Sequence, residues 1–69
     1  MSHVPPRVPE SEADLTRVVH LLGIRMQSPL DKDQRTEIRE LVGSYPTPAQ
    51  AVVWKQAIKR IIAHLVVLG

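Results

Sequence analysis

Three histidines, His3, His20 and His64, are the side chains best suited to moving a proton or holding a metal near neutral pH. Their spacing argues against both uses. His3 sits among prolines, while His20 and His64 fall in separate helical patterns with no histidine or carboxylate four residues away on the same face. The chain has no cysteine to supply a thiolate nucleophile or metal ligand. Among the hydroxyl residues, Ser11, Ser28 and Thr47 stand where helices are expected to begin, which explains them as caps, and Ser44 has no catalytic signature around it. Glu10, Glu12 and Asp14 crowd one helix start, as compensation of the helix dipole alone would place them. Gly23, Gly43 and Gly69 are too scattered to form a phosphate-binding loop. No enzymatic activity, metal or cofactor is expected.

The second chemistry to weigh is recognition of phosphate. Nine Lys and Arg against seven Asp and Glu leave a net charge of only +2, where a dedicated nucleic-acid binder concentrates more on one face. Lys55, Lys59 and Arg60 form a basic side of the last helix, and Arg35 and Arg39 would extend it if the preceding helix lay alongside. These five are the candidate nucleic-acid contacts. Read as a helix-turn-helix, the last helix would present Pro48-Ala49-Gln50-Ala51-Val52-Val53 to the bases. Recognition helices read bases chiefly through such N-terminal residues, and only Gln50 has the polarity to do so. Nucleic-acid binding is therefore the alternative reading and not the favoured one.

The elements that must carry these residues announce themselves through their starts. Ser11-Glu12-Ala13-Asp14, Ser28-Pro29-Leu30-Asp31 and Thr47-Pro48-Ala49-Gln50 each pair a hydroxyl cap with an acid or amide three residues later. That is close to the reciprocal capping box, although Asp is shorter than the usual Glu or Gln. Two of them put Pro at the first helical position, where its missing N–H costs nothing. The predicted fold is all-α: a small three-helix bundle over residues 11–69, preceded by a disordered proline-rich arm over residues 1–10.

The first helix is predicted from about Glu12 to Met26, with Leu15, Val18, Val19, Leu22 and Met26 on its apolar face. Leu21 and Ile24 lie off that stripe, and Gly23 either admits a close neighbour or marks an early end. The second is predicted from Pro29 to Val42, with Asp31 and Gln34 as an alternative start and Gly43 as the left-handed stop. Its connector, Ser44-Tyr45-Pro46, is short enough to make the second and third helices neighbours. The third runs from Pro48 to about Leu68, and its apolar face is expected to bury Trp54 among Leu15, Leu22, Ile38, Ile58 and Leu65.

Size and patterning then point to association. A chain of 69 residues buries only about 60% of the surface its unfolded form exposes, and without disulfides it gains most from a partner. Ile61 to Leu68 is apolar nearly all round apart from His64, and a helix apolar on every side is normally buried on every side. Two shorter helices cannot cover it. The expected function is a small protein–protein interaction module, regulatory or inhibitory, homodimeric by default. Its contact is expected at Ile62, Val66, Val67 and Leu68, joined by Leu21 and Ile24. No membrane span or signal peptide is visible, so the protein is expected to be cytoplasmic.

Overall fold

The computed structural model describes residues 4–68, the side chain of Leu68 excepted. It contains α1 (Glu12–Arg25), α2 (Lys32–Val42) and α3 (Pro48–Leu68), with no strand among the described residues. None of these helices is long and apolar enough to cross a membrane.

Local chemistry sets each boundary. Ser11 has extended backbone and its Oγ accepts the Asp14 N–H at 3.3 Å. Thr47 closes a full box with Gln50: Oγ1 accepts the Gln50 N–H at 3.1 Å, and Gln50 Oε1 accepts the Thr47 N–H at 3.0 Å. At α2 the later of the two possible starts prevails. Asp31 Oδ1 accepts the Gln34 N–H at 2.8 Å and Gln34 Oε1 accepts the Asp31 N–H at 3.2 Å, so two otherwise unpaired donors are satisfied together. Ser28 is already committed elsewhere, its N–H donating to the Ile24 carbonyl at 3.0 Å as α1 closes. Gly43 ends α2 at φ 89°, where a Cβ would be strained, and donates to the Arg39 carbonyl at 2.8 Å.

The arrangement differs from the expected one in which helix follows which. α1 is the central element, with α2 and α3 both packed on it, and among the described residues the α2 and α3 backbones do not approach one another closely. The connector explains this. Pro46 is fully buried, its carbonyl accepts Arg25 Nε at 2.8 Å, and the Arg25 guanidinium lies 4.8 Å above the centre of the Tyr45 ring. The Tyr45 hydroxyl in turn accepts the Leu30 N–H at 3.1 Å. These contacts carry the chain around the end of α1, so α3 returns along α1 instead of pairing with α2.

A central helix flanked on two sides must bury a wider arc than an edge helix. That is why Leu21, off the expected stripe, is fully buried with Leu15, Val18 and Leu22, whereas Val19 and Met26 are only partly covered. Leu30, Ile38, Val42, Ala51, Trp54 and Ile58 complete the core. Trp54 is 5% exposed, and of its expected companions only Leu65 is missing, since it is exposed near the far end of α3.

The described part of the N-terminal arm lies against this body. Pro5 is buried, and Arg7 Nη2 donates to the carbonyls of Arg39 and Glu40. Those carbonyls belong to the last turn of α2, where the helix dipole favours a cation, and the Arg39 carbonyl accepts the Gly43 N–H as well. The expectation of a disordered arm does not describe residues 4–10, and residues 1–3 lie outside the described set. Proline-stiffened chain loses less entropy on docking than ordinary chain does, which favours this docked arrangement.

Candidate interaction surface

Burial along α3 stops before the helix does. Ala51, Trp54 and Ile58 are buried, Ile61 and Ile62 are half-buried, and every residue from Ala63 to Val67 is exposed. The apolar pattern nevertheless continues: Leu65 lies seven residues beyond Ile58 and four beyond Ile61, on the same face of the helix. Leu65 is 38% exposed, Val66 65% and Val67 82%. Length accounts for the mismatch, because α3 has 21 residues where α1 has 14 and α2 has 11. A clustered exposed apolar surface of this kind marks an association site far more often than an isolated exposed leucine does.

The expected contact residues separate into three groups. Val66 and Val67 belong to this uncovered stretch, and Ile62, half-buried against the core, stands at its edge. Ile24 is half-buried beside an open cleft of about 480 Å³ between α1 and α3, which Val19, His20, Gly23 and Lys55 also line. Leu21 drops out, because it is fully buried in the core and cannot reach a partner. The side chain of Leu68 is outside the described set.

The five basic candidates are divided between two helices. Lys55, Lys59 and Arg60 share α3, and Arg35 and Arg39 belong to α2, whose backbone makes no close approach to that of α3 among the described residues although both helices contribute to one core. The Arg35 guanidinium lies 5.8 Å from the Tyr45 ring centre, and Arg39 occupies the turn whose carbonyls receive Arg7. His20 and His64 are both exposed, on α1 and α3 respectively. His3 lies outside the described residues.

Charge is nonetheless unevenly distributed. All seven acidic residues fall between Glu10 and Glu40, so α3 carries three cations and no anion. The ion pair among the described residues joins α1 to α2: Arg17 Nε and Nη2 reach Glu37 Oε2 and Oε1 at 2.7 and 2.9 Å. The Arg17 hydrogen bonds hold the Glu37 carboxyl below the usual carboxylate range, against the opposing effect of partial burial. Among the described residues, Lys55, Lys59 and Arg60 enter no such pair. Lys55 is half-buried, and its Nζ lies 3.7 Å from the position a Cβ would take on Gly23.

Two features of this surface escape a sequence reading. That Lys55 leans over Gly23 requires knowing that α3 returns along α1. That Arg7 caps α2 joins residues 32 and 33 positions apart, and its sole local sign was a single arginine among prolines. No protein-family model, curated protein or solved structure matches the chain.

Proposed function

We propose that this chain is a small helical protein–protein interaction module, a regulatory or inhibitory accessory factor that acts by occupying a partner's surface through the uncovered end of α3. One observation carries the reading: Leu65, Val66 and Val67 are exposed on a helix whose apolar pattern runs past its own core. Covering each such aliphatic side chain contributes about 1.5–3 kcal/mol before the entropy of association is subtracted. The cover is either another protein or, as the commonest closed arrangement, a second copy in a twofold dimer. The cytoplasm is the proposed location, since a chain without cysteine suits a reducing compartment.

The test compares wild type with a Val66→Glu, Val67→Glu variant by light scattering over a wide concentration range and by partner binding. The variant is expected to keep its helical content and lose association. Full retention of every binding activity by the folded variant would overturn the proposal. A nucleic-acid-binding regulator is the weaker alternative, because Lys55, Lys59 and Arg60 without Arg35 and Arg39 offer few phosphate contacts, and affinity rises with their number.

A further inference from the structure

We infer that the partner of this surface is an acidic amphipathic helix, seated along Val52, Lys55, Lys59, Ile62 and Val66 of α3. The inference rests on the interaction-module reading above and supplies the chemistry of the partner. These five residues recur at alternating intervals of three and four, the spacing that keeps a seam on one face of a helix. The seam spans four turns, about 21 Å at 1.5 Å per residue. None of the five is fully buried: Val52, Lys59 and Val66 are exposed, and Lys55 and Ile62 are half-buried. Beside its first half, the open cleft supplies a second wall from Val19, His20 and Ile24 of α1.

The sign of the partner follows from the two lysines. Their aliphatic stems can pack under a docked helix, but their ammonium groups then leave water and need a counter-charge. α3 contains no acidic residue, and neither lysine enters an ion pair among the described residues. The counter-charge must therefore arrive with the partner. A second copy docked seam to seam supplies the wrong one. Parallel pairing sets lysine against lysine, and antiparallel pairing sets Lys59 against the Lys59 of the other copy and Lys55 against its Ile62, so like charges repel across the contact in both. Phosphate could answer the lysines but leaves Val52, Ile62 and Val66 without an apolar cover.

The experiment displays a random peptide library of about 15 residues, enough for four helical turns, against the full chain. Selected peptides are then measured by fluorescence anisotropy. Selected sequences are expected to be rich in Asp and Glu, with apolar residues three and four apart. Lys55→Glu, Lys59→Glu is expected to weaken them by about tenfold or more, and peptides carrying Lys in place of their acids are expected to recover binding to that variant. Circular dichroism establishes that the variant is folded, and Lys59→Gln, at an exposed position, repeats the test without charge reversal. Basic or neutral selected peptides would overturn the inference. So would peptides that ignore the lysine changes but are lost with Val66→Glu, an outcome that leaves the apolar contact standing. Peptides indifferent to both changes would remove the interaction-module reading as well. Tighter lysine-dependent binding of duplex DNA or phosphatidylserine vesicles, or self-association abolished by Val66→Glu, would each assign the seam to a different occupant.

Discussion

At one end of the chain, residues with no regular structure are held down; at the other, a regular helix runs on uncovered. The described residues before α1 are in neither helix nor strand, yet Pro5 is buried and Arg7 donates to two carbonyls of α2. The last turns of α3 are helical, yet Val66 and Val67 are the most exposed large apolar residues among those described. The difference is one of backbone hydrogen bonding. A helix satisfies its own N–H and C=O groups and can project from a body without support. A proline-rich segment lacks the repeating backbone bonds of a helix, so it settles where its side chains find partners. Regularity and burial are thus independent, and in this molecule the regular end is the one left uncovered.

The strongest way to break the comparison is to remove the core that supports both ends. Trp54 lies amid the buried residues of α3, packed with the core that all three helices share. Trp54→Ala is expected to cost about 3–5 kcal/mol, a large share of what a domain of this size possesses. Urea denaturation followed by circular dichroism measures it. A loss below about 1 kcal/mol would mean that the Trp54 cluster is not the main support of the fold.

Next in size is the arm. Arg7→Ala removes a cation from the carbonyl end of α2, and the expected loss is about 1 kcal/mol, with faster amide exchange in residues 4–10 and in the last turn of α2. The Val66→Glu, Val67→Glu variant should by contrast stay within about 0.5 kcal/mol of wild type in the monomer, because exposed positions of a self-bonded helix contribute little to folding. Equal losses at the two ends would erase the distinction drawn above.

A gain is expected in the middle. Gly23 has no left-handed backbone, and a Cβ there meets only the flexible end of Lys55 at 3.7 Å, an ordinary contact distance. Gly23→Ala should therefore stabilise the protein by up to about 1 kcal/mol through helix propensity and a less free unfolded chain. The melting temperature should rise with association unchanged. A fall would show that the α1–α3 contact needs the glycine after all.

These positions also mark how far the sequence could be read. The all-helical class and the starts of α1 and α3 follow from local chemistry, because Ser11, Thr47 and Gln50 act on residues within one turn. The start of α2 was readable only as a choice, since Ser28 and Asp31 compete and the outcome turns on Ser28 being drawn into the end of α1. Helix order in space was not legible. It depends on Arg25 meeting Tyr45 and Pro46, residues about twenty apart in sequence. The misplacement of Leu21 follows from the same cause, because a stripe read from one helix alone assumes one packing face and α1 has two. At the candidate surface, Val66 and Val67 were legible because their exposure follows from length. Arg35 and Arg39 were assigned to the same face as Lys55 only through the assumption that α2 and α3 are neighbours.

The smallest expected effect concerns acid, and it isolates α1 and α2 from both ends. The Arg17 hydrogen bonds, aided by the positive charge of Arg17 and of His20, depress the Glu37 carboxyl in the folded state. A depressed carboxyl stabilises the fold above its unfolded value, about 4.3 for an ordinary glutamate, and that contribution disappears as pH falls through the lower folded value. Both side chains are more than a third exposed, at 42% and 38%, so water screens the pair and the contribution is small. Melting temperatures of wild type and Glu37→Gln, measured from neutral pH downward, should therefore differ slightly and constantly at neutral pH and converge in acid. The uncovered end of α3 contains no carboxylate, so its association should follow the titration of the partner's acids instead. If Glu37→Gln moved the pH dependence of association as much as that of melting, the α1–α2 pair and the end of α3 would be coupled, and the C-terminal helix would not be the independent projection that its exposure implies.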